Sequence, residues 1–259
     1  MSLLPTGHQF AIVPHRFEGL FSAEGVSDVF LTKNLLPGQA VYNRVVVQNE
    51  DGTQVEYKIW NSFSSKLAAA IFAHSDNIHI KPGSKVLYLG TACGATISLL
   101  SDIVGPSGLV YAVGCSNVSG PDLVNMAAML TNVIPIIEDP RYPAKYVTLV
   151  GMVDVIYSDI AQPDQTKILG LNASHYLKTG GHFVLSFKTN CIDSTQDPES
   201  VTRSEVRKLK KEQFNPREQT TLLSEADHYV LIGGYKMTSL KVRMLDAQLQ
   251  DMSLRTLEV

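Results

Sequence analysis

The sequence has few cysteines and lacks long apolar runs, internal repeats and low-complexity tracts. Its three cysteines, Cys93, Cys115 and Cys191, do not have the spacing of a disulfide framework or a metal site, which favours a reducing compartment. No stretch approaches the roughly 18 to 20 apolar residues that span a bilayer. The first residues also lack the basic-then-apolar pattern of a secretory signal. We therefore expect neither secretion nor a membrane partner.

An excess of positive charge is also missing. The chain has 22 Lys and Arg against 25 Asp and Glu, a net charge of −3, which argues against a broad basic surface that grips nucleic acid by itself. A local basic patch, or binding through partners, remains compatible with this balance.

The chain has a globular composition, with 259 residues of which 44% are hydrophobic. That is enough for one large α/β domain, or for a small domain and a medium one.

Patterning divides the chain near residue 60. Before it, strands are predicted at 29–32, 41–48 and 54–59, and Asp51-Gly52 is a hairpin signal, so residues 1–60 are predicted to form a small β-rich domain. After it, residues 61–236 alternate between strand and helix, which is typical of a mostly parallel, doubly wound sheet. The predicted strands are 85–89, 109–113, 133–137, 153–159 and 182–188. The predicted helices are 64–73 (with Ser64 as N-cap), 95–104, 119–130, 165–177 and 199–214. An antiparallel pair at 220–223 and 228–234 closes the sheet, and the tail 237–259 has no clear partner.

The first chemical motif is the glycine-rich turn from Leu89 to Thr96. Small residues after the first strand of an α/β sheet let the backbone approach a ligand, and Gly90 and Gly94 are spaced as Gly-x-x-x-Gly. In such folds an acidic residue ends the second strand and binds ribose hydroxyls. Here that position is Gly114, and no Asp or Glu lies between Asp102 and Asp122. A tight turn without a ligand is the alternative interpretation.

Three further strand ends carry polar residues. Asp139 follows the third strand, where a carboxylate can accept from an adenine amino group, or can simply be a solvated turn residue before Pro140. Asp159 ends the fourth strand and is expected to point into the ligand crevice. Lys188 ends the fifth, where it could act as a base or form a structural ion pair with Asp159. One predicted helix is rich in basic residues that are either solvated or in contact with RNA or a partner: Arg203, Arg207, Lys208, Lys210 and Lys211.

These residues resemble the fibrillarin family over about His15 to Tyr235. Several of the matching stretches are five or six residues long. The matching stretches include Pro14-His15-Arg16, Leu31-Thr32-Lys33-Asn34-Leu35, Trp60-Asn61, Ser65-Lys66-Leu67-Ala68-Ala69-Ala70, Ile78-His79-Ile80-Lys81-Pro82-Gly83, Val86-Leu87-Tyr88-Leu89-Gly90, Ser101-Asp102-Ile103-Val104-Gly105-Pro106, Ala161-Gln162-Pro163-Asp164-Gln165-Thr166 and Asn190-Cys191-Ile192-Asp193-Ser194-Thr195. The resemblance implies a class I S-adenosylmethionine (SAM)-dependent methyltransferase fold, Rossmann-like with a mostly parallel seven-stranded sheet, behind a small β-rich domain.

The resemblance also implies an activity and a setting. The activity is transfer of the SAM methyl group to a ribose 2′-hydroxyl of target rRNA, selected by a box C/D guide RNA in the nucleolus of the nucleus. The implied partners are a Nop-type scaffold protein and a kink-turn-binding protein. The implied catalytic residues are Lys66, Asp159, Lys188 and His228. The implied cofactor-binding residues are Gly90, Ala95, Thr96, Gly114, Cys115, Asp139, Pro140, Asp159, Ile160, Ala161 and Gln162, and no metal is implied.

Three departures from the family leave the activity open. Gly114-Cys115 replaces a Glu-Phe pair, Ala95 replaces a threonine, and the helix after the second strand has lost basic residues and carries an apolar run at 127–130. One interpretation is an active enzyme with weakened cofactor binding. Another is a catalytically weakened or inactive paralogue that serves as a structural subunit, with the apolar run as a protein contact or as the buried side of a helix. A third is methylation of a protein side chain, such as a histone glutamine, at the same cofactor site.

Overall fold

In the computed structural model of the chain, the described residues are 11–27, 29–38, 43–48, 52–73, 75–90, 94–114, 120–222 and 227–236. They form two β-sheets, one antiparallel and one mostly parallel. Helices cover both faces of the larger sheet. The predicted tail 237–259 lies outside the described residues. The predicted domain boundary at residue 60 stays a prediction.

The first sheet is antiparallel throughout and has the order β1-β2-β3-β5-β4. Its strands are β1 (Ile12–Pro14), β2 (Leu20–Ala23), β3 (Phe30–Lys33), β4 (Arg44–Gln48) and β5 (Gln54–Trp60). The predicted β4–β5 hairpin is present, with Gly52 at a φ of 82° in the turn. The sequence patterns missed β1 and β2, which are only three and four residues long.

The second sheet has seven strands in the order β11-β12-β10-β9-β6-β7-β8. Its strands are β6 (Lys85–Gly90), β7 (Leu109–Val113), β8 (Val133–Ile136), β9 (Val153–Asp159), β10 (Leu177–Lys188), β11 (Phe214–Thr221) and β12 (His228–Tyr235). Strands β6 to β10 run parallel, and β12 and β11 add antiparallel strands at one edge. The predicted doubly wound sheet with an antiparallel closing pair is therefore confirmed.

One short 3₁₀ helix (Pro143–Tyr146) and six α-helices lie in the described residues: α1 (Lys66–Phe72), α2 (Gly94–Val104), α3 (Gly120–Met129), α4 (Gln165–Tyr176), α5 (Thr189–Ile192) and α6 (Pro198–Lys211). The first three bury apolar residues in the core on one face of the large sheet. Helices α4 and α6 bury theirs on the opposite face. This arrangement leaves the carboxyl ends of the parallel strands between two helical layers, where ligands bind in such folds.

Several predicted boundaries are wrong, among them the start of β10, which lies at Leu177 and not at residue 182. The α1 N-cap is Ser65 rather than Ser64, because the Ser65 hydroxyl accepts from the Ala68 N–H at 3.0 Å. Helix α6 ends at Lys211 instead of continuing to residue 214, because Gln213 takes a left-handed φ of 69° and turns the chain into β11. The strand predicted at 220–223 consequently begins earlier, at Phe214.

A buried ion pair joins the small sheet to helix α2, which packs on the large sheet. Lys58 Nζ of β5 lies 3.0 Å from Asp102 Oδ1 of α2, and both side chains are almost fully buried. Thr32 donates its hydroxyl to Asp102 at 2.7 Å, and Lys58 donates to Ser98 at 2.9 Å. Burial raises the pKa of Asp102, against the lowering effect of Lys58 and Thr32. Since a buried charge is costly without its partner, these bonds favour one docking arrangement of the two sheets.

Candidate functional site

The candidate site lies where the parallel strands of the large sheet end. β6 ends at Gly90 and pairs in register with Asp159 at the end of β9. Gly114 follows β7, and its N–H donates to Ile136 O of β8 at 3.1 Å. Asp139 lies three residues beyond β8. The sheet thus collects these predicted residues at one edge, as the strand pattern indicated.

An ion pair stands at the centre of this edge. Lys66, the first residue of α1, places Nζ 2.7 Å from Asp159 Oδ1. The Lys66 side chain is 29% exposed, so the pair is reachable from solvent. The sequence interpretation had offered Lys188 as the structural partner of Asp159. The structure instead places Lys188 with an exposed side chain at the end of β10, so the cost of burying it does not arise.

His228 lies directly across from Lys188 in the antiparallel pairing of β10 with β12. Its side chain is 3% exposed, and Nε2 lies 3.1 Å from Ser186 Oγ. Ser186 is two residues before Lys188, so the serine, the lysine and the histidine share one face of the sheet. Ser186 was not singled out in the sequence analysis, although its position two residues before Lys188 in a predicted strand places both side chains on one face.

The four predicted catalytic residues belong to the same side of the sheet. Tyr157 and Val230, two residues from Asp159 and His228 respectively, pack in the core that contains Leu67 of α1. Because side chains two residues apart in a strand share a face, Asp159 and His228 face the α1 layer. Lys66 reaches Asp159 from that layer. The structure therefore brings residues from α1, β9, β10 and β12 to one corner.

The predicted cofactor loop is described only in part. Gly90 is buried, and a Cβ there would lie 2.4 Å from Tyr88 Oη and 3.2 Å from Asp159 O, so a side chain does not fit without rearrangement. Ala95 is half-buried and Thr96 is buried in the first turn of α2. Thr91, Ala92 and Cys93 lie outside the described residues, as does the predicted Cys115.

Asp139 belongs to a polar network that the sequence did not reveal. Its Oδ1 accepts from the Arg141 N–H at 2.9 Å, and Arg141 Nη1 lies 3.3 Å from its Oδ2. Arg141 also donates to Asp164 at 3.2 Å and to Gln162 at 2.9 Å. The hydrogen bond and charge of Asp164 raise the pKa of Arg141. Arg141 thus links the Asp139 segment to the segment after β9. In the sequence, the position of Arg141 two residues after Asp139 is the feature that could have indicated their contact.

The remaining predicted cofactor residues divide into buried and exposed. Pro140 and Ile160 are buried, and Pro140 O accepts from Asn172 Nδ2 at 2.8 Å. Ala161 and Gln162 are exposed. Pro140 and Ile160 therefore belong to the packed surroundings of the candidate site, whereas Ala161 and Gln162 are accessible to a ligand.

Two surface features from the sequence are also placed. The basic residues of α6 are exposed, and two of them pair with acidic neighbours: Lys208 with Glu205 at 2.6 Å and Arg203 with Glu199 at 3.8 Å. In the apolar run 127–130, Leu130 is buried and Ala127 packs against the core, while Met129 is exposed. The run is therefore partly the inner side of α3.

Membrane and metal features were searched in the described ranges. No helix there is long and apolar enough to cross a membrane. Within the same ranges, no group of three or more His, Cys, Asp or Glu side chains could hold a metal ion.

The residues at this edge fit SAM in most respects. Gly90 is buried with the Tyr88 hydroxyl where a Cβ would stand, so only glycine fits at this strand end without rearrangement. The carboxylates of Asp139 and Asp159 can accept hydrogen bonds from an adenine amino group and an ammonium group. Asp139 keeps further acceptor capacity beside its bonds to Arg141, because a carboxylate offers about four lone-pair sites. Gly114 provides no side-chain acceptor for ribose hydroxyls, so the fit is incomplete there.

The fold is that of the class I SAM-dependent methyltransferases, with its mostly parallel seven-stranded sheet. Within that class, the chain belongs to the fibrillarin family, because the family model described as Fibrillarin matches residues 12–237. The relative named rRNA 2′-O-methyltransferase fibrillarin 1, from Arabidopsis thaliana, is 64% identical over 234 residues. That match covers 89% of this chain and 76% of the relative.

Solved structures of archaeal and complexed fibrillarins are similar as well. Aeropyrum pernix fibrillarin in complex with natively bound S-adenosyl-L-methionine is 34% identical, with a TM-score of 0.77 over 87% of this chain and 99% of that chain. The structure of a fibrillarin/Nop5p complex contains a chain that is 32% identical, with a TM-score of 0.74, covering 86% of this chain and 100% of the other.

Proposed function

We propose that the chain is a SAM-dependent RNA 2′-O-methyltransferase that modifies rRNA within a box C/D guide ribonucleoprotein. The observation that carries the proposal is the Lys66–Asp159 pair at the carboxyl edge, with Lys188 and His228 on the same face. The printed activity of the Arabidopsis relative and the SAM bound to the Aeropyrum protein support the reaction and the cofactor. The Nop5p complex supports a Nop-type scaffold as partner, and rRNA modification implies work in the nucleus, at the nucleolus. Guide RNA and a kink-turn-binding protein complete the proposed particle.

The reaction joins the ribose 2′-oxygen to a methyl carbon, breaks the carbon–sulfur bond and releases the hydroxyl proton. When bound, SAM supplies the electrophilic methyl group. Asp159, held at Oδ1 by Lys66, orients the hydroxyl by accepting its hydrogen bond. Lys188 helps to remove the proton through Nζ. Holding the two reacting groups in line supplies much of the rate, because it replaces the entropy loss of a bimolecular encounter.

His228 is assigned a positioning role. Its ring is buried against Ser186 and lies across from Lys188. We therefore assign it to holding the end of β10 in place, and not to direct contact with the substrate. Replacing a buried, hydrogen-bonded ring would shift the strand end that carries Lys188. Gly90, Asp139 and the segment from Ile160 to Gln162 are assigned to the cofactor, with Ala95 and Thr96 at the start of α2.

The test is methyl transfer from radiolabelled SAM to a guided RNA by the assembled particle. Lys188→Ala should lower the single-turnover rate about 10²- to 10⁴-fold, the range for a proton-transfer group. Lys167→Ala is the matched control, because Lys167 is exposed on α4, on the opposite face of the sheet. Transfer by Lys188→Ala at the parent rate would contradict the assigned base.

A structural subunit without activity is the second candidate, and Gly114 favours it. Calorimetric titration of the chain with SAM separates the two, since an enzyme must bind the cofactor. Binding in the micromolar range supports catalysis. Failure to bind at millimolar SAM, with normal incorporation into the particle, supports the structural role.

A further inference from the structure

Phe63 is the most exposed large apolar side chain among the described residues, at 78%. It lies between β5 and α1, in the segment that leads from Trp60 to Lys66. A single exposed apolar residue is ordinary on a protein surface. Whether the exposed Phe63 side chain binds a partner depends on how its backbone is held and on which groups lie next to it.

The turn that carries Phe63 is fixed by its own polar groups. Asn61 Oδ1 accepts from the Phe63 N–H and from the Ser64 hydroxyl, each at 3.0 Å. The Asn61 N–H donates to Ser64 Oγ at 2.9 Å, and the Ser64 N–H donates to Asn61 O at 3.0 Å. On either side, Trp60 is buried and Ser65 caps α1. The backbone therefore presents the aromatic ring to solvent from a defined position.

That position is close to the reacting groups. Phe63 is three residues before Lys66, so their Cα atoms lie within about 11 Å of each other. Lys66 in turn contacts Asp159 at 2.7 Å. A polymer substrate whose reacting hydroxyl lies at Asp159 extends for several nucleotides, so one of its bases is within reach of the Phe63 turn.

We propose that Phe63 stacks on a base of the target RNA, at or next to the nucleotide that is methylated. This inference rests on the proposed function. The flanking residues Asn61, Ser62, Ser64 and Ser65 are polar and uncharged, so the aromatic ring is the one apolar side chain that this turn presents, whereas the core of a protein interface combines several. Base–aromatic stacking needs only such a face and tolerates any base.

The kinetic test uses the assembled particle with saturating SAM. Phe63→Ala should raise KM for the target RNA about tenfold, with kcat for bound RNA and SAM affinity nearly unchanged. Phe63→Trp should keep the parent KM, because it preserves an aromatic face. Val46→Ala is the matched control, since Val46 is also exposed, at 52%, but lies on the edge strand β4 of the other sheet. An unchanged KM in Phe63→Ala, or full rescue by Phe63→Leu, would overturn stacking.

A second measurement does not require activity. A benzophenone-bearing phenylalanine at position 63 should crosslink to the target RNA strand when the particle is irradiated. Crosslinks only to the scaffold protein would overturn the proposal and assign the turn to a protein contact. If the parent particle transfers no methyl group and yet the RNA crosslink forms, the proposed function fails while the Phe63 contact stands.

Discussion

At the residue scale, Gly114 is the position where the predicted cofactor site departs from the usual pattern, in which an acidic residue ends the second strand. The neighbouring strand ends provide carboxylates at Asp139 and Asp159, whereas Gly114 has no side chain and is held through its N–H to Ile136 O. A charged hydrogen bond to a ribose hydroxyl contributes about 1.5–3 kcal/mol. We therefore predict that its absence lowers SAM affinity while the Lys66–Asp159 pair stays intact.

Gly114→Glu should tighten SAM binding about ten- to a hundredfold, because it restores an acceptor for the ribose hydroxyls. Calorimetric titration measures the change directly. Gly114→Gln has nearly the same shape without the charge, and should recover only a small part of the gain. Equal SAM affinity in the parent and the glutamate variant would show that position 114 does not set cofactor binding.

Residue identities were predictable from sequence where a strand end fixes the position. The strand patterns that lead up to Asp159 and Lys188 are strong, so both residues were correctly predicted to end their strands. The partner of Asp159 was not predictable from the strands, since Lys66 lies 93 residues away on a short helix. Arg141 was missed for a related reason, because its contacts with Asp164 and Gln162 come from a different strand end.

At the element scale, the predicted end of helix α6 was wrong because the sequence has no residue there that typically ends a helix. Helix α6 ends before Gln213, which adopts a left-handed conformation although it is not glycine. The basic amphipathic pattern continues to that point, so nothing local predicts the strand that begins at Phe214. Conversely, β6, β7 and β9 were predicted well, because buried parallel strands are continuous apolar runs.

The close approach of β11 to β12 gives a prediction about stability. A Cβ at Gly233 would lie 2.2 Å from the carbonyl oxygen of Asn215, and the backbone there cannot yield easily. Gly233→Ala should lower the free energy of unfolding by about 1–3 kcal/mol, measured by urea denaturation. Gly234→Ala is the control, since the nearest atom to its Cβ is Gly181 O at 4.0 Å, and should stay within about 0.5 kcal/mol of the parent. Equal losses in the two variants would contradict the steric explanation.

At the scale of the whole molecule, the mostly parallel, doubly wound form of the large sheet was predictable from the alternation of strands and helices, whereas the contact between the small sheet and α2 was not. That contact depends on Thr32 and Lys58, which meet Asp102 across 70 and 44 residues of chain. No pattern in either segment marks such pairs, because each side chain alone is an ordinary surface type. Their burial is a property of the docked sheets rather than of either segment.

A second long-range contact, between His79 and His182, leads us to predict that the stability of the molecule depends on pH. His79 and His182 stack with ring centroids 3.6 Å apart, beside a polar cavity of about 640 Å³ that also contains Lys81, Asp154 and Lys178. Burial, His182 and Arg217 lower the pKa of His79 to about 4, and burial and Arg217 lower that of His182. This cavity lies where β6 and β9 begin, at the edge opposite the candidate site.

Acidification from pH 7 to pH 5 should therefore destabilise the fold. The unfolded chain binds protons at these histidines below about pH 6.5, whereas folded His79 resists protonation until about pH 4, so the free energy of unfolding falls as pH decreases through this window. His79→Asn should flatten the dependence of Tm on pH, and asparagine suits the left-handed φ of 57° at this position. His175→Asn is the control, because His175 is exposed on α4, and its profile should match the parent. A His79→Asn profile as steep as the parent's between pH 7 and pH 5 would show that the stacked pair does not set the acid sensitivity.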